Sequence, residues 1–311
     1  MELNYQFPTR AVKHWERWIG ERDLADVAVA AEESGFDIVS TTDHPFPSSA
    51  WIDGGGHHSF DPFVSLAFMA AVTRRVRLLT FILVAGYRNP YLTAKSTASL
   101  DLLSGGRLIV GMGAGYQKPE FDVLGAQFDG RGGRFDAAIA AMHAAWTGEV
   151  VERDDPYFPA SGHVMLPRPA QRPGPPIWIG GNSKAAMRRV AEVADGWLPF
   201  EQPAQMAEIT TTPSLAADEI GERIATLREL RVAAGRPSTF DVCFTPQVSR
   251  DPARAAESLA AAAPGYAAAG VTHLSVESHA RSIDDCLAEI ELFGKALAPP
   301  PPHAPERGES S

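Results

Sequence analysis

Short apolar runs alternate along the chain with longer stretches whose apolar residues recur at helical spacing, and the alternation repeats eight times. The runs predict strands over residues 2–7, 36–42, 76–84, 107–112, 176–179, 195–200, 239–248 and 271–276. Helices are predicted over 21–34, from Asp61-Pro62 onward, from Asn89-Pro90 to about 104, and over 134–146, 183–193, 218–234, 253–269 and 282–297. Leu24, Val27, Ala28 and Ala31 mark one face of the first helix, and Gly35, Gly235 and Gly270 stand where helices stop. Asp61 followed by Pro62 is a capping residue with proline at the first helical position. Pro264-Gly265 predicts a kink or break in the seventh helix. The strands read as continuous apolar runs rather than as alternation, which suits a parallel sheet covered on both faces. The expected fold is an α/β (β/α)8 TIM barrel with loop insertions; a doubly wound open sheet is the competing architecture. One barrel domain is expected over 1–298, with insertions near 45–60, 116–130, 150–176 and 202–217. Residues 299–311 are Pro-rich and polar and read as a disordered tail.

The bulk numbers narrow the function classes. With 28 Lys and Arg against 38 Asp and Glu the net charge is −10, which offers no basic face for a nucleic acid. Cys243 and Cys286 are the only cysteines and have no close partner in sequence, so no metal site is expected and a reducing cytoplasm fits. The first nine residues carry no leader pattern, and no uncharged apolar run reaches the ~18 residues of a membrane helix. A cytoplasmic protein acting on a small molecule, without membrane attachment, is the expectation.

In such a barrel chemistry belongs at the C-terminal ends of the strands. Those ends carry Asp43 and His44, then Ala85, Gly86 and Tyr87, then Gly113, Ala114, Gly115 and Tyr116. The fifth strand delivers Gly180, Gly181, Asn182 and Ser183, and the eighth Glu277, Ser278 and His279. The loop at 180–183 precedes a helix whose free N–H groups suit a phosphate, with Lys184, Arg188 and Arg189 available to add charge. A capped turn without ligand is the other reading of that loop. Histidine is the side chain suited to moving a proton at physiological pH, so His44 is a proton-transfer candidate, or it is a hydrogen-bonded structural histidine. His57-His58 are adjacent and lack the companion ligands of a metal barrel. Trp15, Trp18, Trp51, Phe60 and Phe63 line an apolar pocket or pack the fold. Arg74, Arg75 and Arg77 lie at the opposite end of the third strand and read as a solvated face.

These residues carry a resemblance. The run from Ala31 through Asp43-His44, Tyr87-Arg-Asn-Pro90 with Ala94-Lys95, the run from Leu102 to Tyr116, Pro175 to Ser183, and Asp195-Gly-Trp197 are similar to the luciferase-like monooxygenase superfamily. Within it the chain resembles the coenzyme F420-dependent oxidoreductases. The resemblance implies a deazaflavin or FMN in the barrel mouth, with Asp43 meeting the ring and His44 as proton donor or acceptor. Tyr116 is a second catalytic candidate. A bulge in the third strand, often with a non-prolyl cis peptide, is implied at Phe81-Ile82 behind the ring. Val84, Ala114 and Gly115 would line the ring and its side chain, and Gly180, Gly181, Asn182 and Ser183 would hold the phosphate. The sugar-phosphate dehydrogenase branch has a glutamate where Tyr116 stands, and its phosphate-binding lysines have no clear counterpart here, which argues against a phosphorylated sugar. The implied activity is hydride transfer between C5 of F420 and a small organic substrate. An FMN-dependent monooxygenase using O2 and a non-catalytic flavin-binding barrel are the alternatives, and a homodimer is implied.

Overall fold

The structure, a computed structural model, describes residues 1–8, 19–20, 22–204, 207 and 212–297. The eight apolar runs form the parallel strands β1 (Glu2–Gln6), β2 (Ile38–Thr41), β3 (Arg77–Thr80), β4 (Leu108–Gly113), β5 (Ile177–Gly180), β6 (Gly196–Leu198), β7 (Asp241–Phe244) and β8 (His273–Glu277). After a break at Phe81-Ile82, β3 resumes as Leu83–Val84 and pairs with Met112 and Gly113 of β4. Each strand pairs in parallel with its neighbours in sequence, and β1 pairs with β8 from Glu2↔His273 to Gln6↔Glu277. That last ladder closes the ring, so the fold is the (β/α)8 barrel and the open doubly wound sheet is excluded.

Eight longer helices cover the barrel among the described residues: α1 (Asp23–Glu33), α2 (Pro62–Val72), α3 (Pro90–Ser104), α4 (Arg131–Trp146), α5 (Lys184–Glu192), α6 (Ile220–Ala233), α7 (Pro252–Ala269) and α8 (Ile283–Leu297). Their starts follow the sequence signals. Asp61 accepts from Phe63 N–H (2.9 Å) and Val64 N–H (3.2 Å), and Asn89 from Tyr91 N–H (2.9 Å). The expected break in α7 does not occur; the helix runs through Pro264 to Gly270, which stops it at φ 103°. A proline forfeits one hydrogen bond, and here the turns on either side carry the helix past it.

The strands are covered on both sides, as their unbroken apolar runs require. Outward residues such as Leu78, Leu108, Val110, Ile177 and Ile179 pack under the helices, while Ile38, Leu79, Ile109, Trp178, Leu198 and Cys243 fill the barrel interior. Trp178 needs a glycine beside it, because a Cβ at Gly196 would overlap its indole. Toward the C-terminal ends the interior changes character. Asn4 Nδ2 (2.7 Å) and Gln6 Nε2 (2.8 Å) donate to Ser275 Oγ, and small residues replace bulky ones, so the barrel opens into a cavity there.

The insertions differ from their sequence reading in detail. The 45–60 segment contains a short helix, Ser49–Asp53, capped by Ser48. The 116–130 segment, expected to be irregular, contains the helix Lys118–Val123. The 150–176 segment contains the expected hairpin, Val151–Arg153 against Ala160–His163. Part of the 202–217 insertion and the tail at 299–311 lie outside the described residues.

Candidate active site

A cavity of about 590 Å³ occupies the C-terminal mouth of the barrel. On one wall Asp43 and His44 stand just past the end of β2, after Thr42, and both are buried. Asp43 Oδ2 accepts from Val84 N–H (3.1 Å) and Arg88 Nη1 (2.7 Å), and Oδ1 accepts from Arg88 Nη2 (3.0 Å). Arg88 also reaches Asp61 Oδ2 at 2.9 Å, which ties the site to the start of α2. Burial pushes the Asp43 carboxyl above its ordinary value, and the guanidinium of Arg88 pulls the other way.

His44 Nδ1 lies 2.9 Å from Glu120 Oε2. The same carboxylate accepts from Tyr87 Oη (2.8 Å) and, through Oε1, from Phe46 N–H (2.9 Å). Burial raises the Glu120 carboxyl, but the hydrogen bonds from His44, Phe46 and Tyr87 outweigh it and hold the group below its ordinary value. An ionised carboxylate only accepts, so the proton of a neutral His44 belongs on Nδ1 and the lone pair on Nε2. Burial and the nearby Glu120 push the Tyr87 phenol well up, which keeps it a donor. Three more rings crowd the imidazole: His57 at 4.8 Å, Trp51 at 6.0 Å and Tyr116 at 6.2 Å between centroids. Trp51 Nε1 donates to the His57 carbonyl (3.2 Å), and its indole lies so close over Gly56 that a side chain there would overlap it.

The ends of β4 and β5 bring backbone with little side chain to the cavity, through Gly113, Ala114, Gly115, Gly180 and Gly181. The Phe81-Ile82 peptide is cis, and a Cβ at Gly113 would overlap Ile82 Cδ1 while one at Gly180 would stand 2.9 Å from it. Gly115, at φ 78°, passes so close to Val84 and Phe121 that only glycine fits. Beyond lies the loop before α5. Gly181 (φ 104°) donates its N–H to Leu198 O (3.2 Å), and Ser183 caps α5 by accepting from Ala186 N–H (3.1 Å). Asn182 Nδ2 donates to Phe200 O (2.9 Å) and Pro213 O (3.2 Å), so that side chain fixes the neighbouring loop. Arg131, at the start of α4, also lines the cavity; its Nε donates to Gly115 O (3.0 Å) and its guanidinium stacks on Phe128 at 3.9 Å. A glycine-lined stretch of wall, with a helix N-terminus and a guanidinium at the same cavity, suits a planar ring that carries an anionic tail.

A sequence model described as luciferase-like monooxygenase matches residues 19–294. The chain belongs to the luciferase-like monooxygenase family. That membership makes it an oxidoreductase. Among relatives of this family, an uncharacterized protein of Mycobacterium tuberculosis is 32% identical over 228 residues, 70% of this chain and 74% of that one. An F420-dependent glucose-6-phosphate dehydrogenase of Gordonia bronchialis is 34% identical over 185 residues, 57% of this chain and 52% of its own length. The alignment thus spans about half of that dehydrogenase. Two solved structures share the fold: the monooxygenase RslO1 of Streptomyces bottropensis (TM-score 0.76, 22% identity, 96% and 98% of the two chains) and an F420-dependent secondary alcohol dehydrogenase bound to an F420-acetone adduct (TM-score 0.73, 17% identity, 96% and 98%).

The luciferase-like fold brings the residues singled out in the sequence to one cavity. Asp43, His44, Phe81, Ile82, Val84, Ala114, Gly115, Tyr116, Gly180, Gly181, Asn182 and Ser183 all line it. The cis peptide stands at Phe81-Ile82, where the resemblance placed it. Arg188 and Arg189 are not part of the anion loop. Both pair with Asp136 of α4, at 2.7 and 2.6 Å, so they fasten α5 to α4 instead of facing the cavity. The sequence reading missed Glu120, Arg88 and Arg131. Glu120 sits on a helix of six residues, too short to show periodicity; the remaining signal was a lone carboxylate between Pro119 and Phe121.

Proposed function

We propose that this chain binds coenzyme F420 in the barrel mouth and transfers a hydride between its C5 and a small organic substrate. The single observation that carries the reading is His44, backed by Glu120, in the cavity that Ile82, Gly113 and Gly180 also line. The bound deazaflavin supplies a two-electron acceptor or donor. The protein supplies position and a proton path. Glu120 accepts from Nδ1 of His44, so Nε2 takes a proton from an alcohol or, after protonation, returns one to a carbonyl. Ionic Glu120 also stabilises the imidazolium formed when His44 accepts that proton. Asp43, bridged by Arg88 to Asp61, locks the end of β2 to Val84 and keeps the ring wall in place. Gly181, Ser183 and Arg131 hold the anionic tail. The family membership and the similarity to F420-dependent glucose-6-phosphate dehydrogenases support the choice of F420.

The outer face of α2 supports a homodimer. Residues 62–72 contain no charged side chain, and Val64 and Phe68 are 69% and 44% exposed. Leu92 and Leu103 of the adjacent α3 are also exposed. A helix apolar on all sides is a buried helix, and a second copy of the chain is the cover that two such helices fit. The acidic net charge and two buried, unpaired cysteines support a cytoplasmic setting.

The test is a fluorescence titration of the purified protein with F420 and, separately, with FMN, followed by anaerobic turnover. The expected result is F420 binding at least ~10-fold tighter than FMN and turnover that needs no O2. Tighter FMN binding with O2-dependent turnover overturns the reading.

A further inference from the structure

Glu120 is buried, and its carboxylate is held by hydrogen bonds from His44, Phe46 and Tyr87. All three donors are uncharged while His44 is neutral. Two of them converge on one atom. Tyr87 Oη (2.8 Å) and His44 Nδ1 (2.9 Å) both reach Oε2, and Phe46 N–H takes Oε1. Tyr87 thus fills the second lone-pair position of the oxygen that orients the imidazole. The titratable groups that neighbouring elements bring to this spot, among the described residues, are His44 and Asp43 past β2, Tyr116 past β4 and His57 from the 45–60 segment. The cations close by are committed elsewhere: Arg88 to Asp43 and Asp61, Lys118 to Asp122, and Arg131 to Gly115 O.

Local packing explains why the phenol arrives there. A Cβ at Gly86 would overlap the Phe121 ring, so the bare backbone admits that ring, and Tyr87 meets it edge-on at 4.9 Å between centroids. Tyr87 N–H donates to Val84 O at 3.1 Å. Phe121 follows Glu120 directly, so the ring pair carries the hydroxyl to the carboxylate. Burial, with the negative charge of Glu120 beside it, pushes the phenol far up, so the hydroxyl keeps its proton and donates.

We propose that Tyr87 is a positioning residue: by sharing Oε2 with His44 it keeps the Glu120 carboxylate ionised and turned toward Nδ1, and it takes up no proton itself. This rests on the proton path proposed above. Tyr87 lines the cavity, where a tyrosine otherwise reads as a proton donor to substrate, but here its O–H points to Glu120. A donor to the charged form of a carboxylate favours that form, so removing it moves the carboxyl titration upward.

The experiment is carbon-13 NMR of the side-chain carboxyl groups through an acid titration of the full-length protein, with and without F420. The Glu120 signal is assigned by its loss in Glu120→Gln. Wild type is expected to titrate below 4.5 at this residue. Tyr87→Phe keeps the ring against Phe121 and is expected to raise the Glu120 midpoint by about one pH unit, the scale of one hydrogen bond to a charged group. Tyr87→Leu, which removes ring and hydroxyl together, is expected to raise it as well. A role in packing alone predicts the wild-type midpoint in Tyr87→Phe and a shift only in Tyr87→Leu, and that result overturns the proposal. Failure of F420 to bind overturns the cofactor reading instead, and the titration without F420 still decides the part played by Tyr87.

Discussion

Replacing Glu120 by Gln keeps the shape of the side chain and removes its charge. The wild-type carboxylate accepts three hydrogen bonds, from His44, Tyr87 and Phe46. An amide has one accepting oxygen and one NH2, so it cannot accept from all three. If NH2 faces His44, the ring must accept at Nδ1 and carry its proton on Nε2, and the base is lost. If the oxygen faces it, the bond survives but is no longer charge-assisted, which forfeits about 1–2 kcal/mol of imidazolium stabilisation. The first arrangement is expected to lower kcat ~100-fold, within the usual range for disabling general acid–base catalysis, and the second roughly 5–30-fold. Glu120 is not part of the cavity wall, so the Kd for F420 is expected to stay within ~3-fold, less than ~0.7 kcal/mol. The same variant reports on pH. Because the folded-state pKa of Glu120 lies below its ordinary value of 4.5, the carboxylate stabilises the fold fully above that value and loses the effect as pH falls through the folded pKa. The Tm gap between wild type and Glu120→Gln is therefore expected to narrow between pH 7 and the acid limb. Stopped-flow turnover, F420 fluorescence and melts at two pH values make the assay. Wild-type kcat in a folded Glu120→Gln protein would refute the proton path.

His44→Ala is expected to lower turnover ~100-fold or more with F420 affinity unchanged, read by single-turnover absorbance and fluorescence titration. Gly181→Asp puts a side chain on a backbone at φ 104° and a carboxylate beside the anion loop, so F420 affinity is expected to drop more than ~10-fold in the same titration. Phe68→Glu places a charge in the exposed apolar face of α2, and the proposed homodimer predicts that this variant runs as a monomer where wild type runs as a dimer in size-exclusion chromatography with light scattering. A dimer that survives the substitution excludes that face as the interface.

What the sequence made legible follows the length scale of each signal. The helix α3 was bracketed by Asn89-Pro90 and Gly105, because capping residues act at single positions that can be read directly. The convergence of Asp43, Gly113 and Gly181 followed from strand counting, since parallel strands in a barrel present their C-terminal ends together. The partners of those residues were not legible. Glu120 meets His44 across 76 positions, and nothing local marks that contact. Arg188 and Arg189 stand next to an anion loop in sequence, yet Asp136, on another helix, decides where they point. Strand β7 ends at Phe244, four residues short of the expected 248, because the chain turns at Thr245-Pro246 into the cavity rim although Val248 continues the apolar pattern.

Ile82 sits wedged against Gly113 and Gly180, so three separate staves share one packing constraint. Alanine at either glycine requires the Ile82 side chain to shift, so mutational effects at these positions are expected to be non-additive. Remodelling the pocket for a bulkier cofactor therefore begins by trimming position 82; enlarging the glycines first would only jam the wall from which the new space has to come.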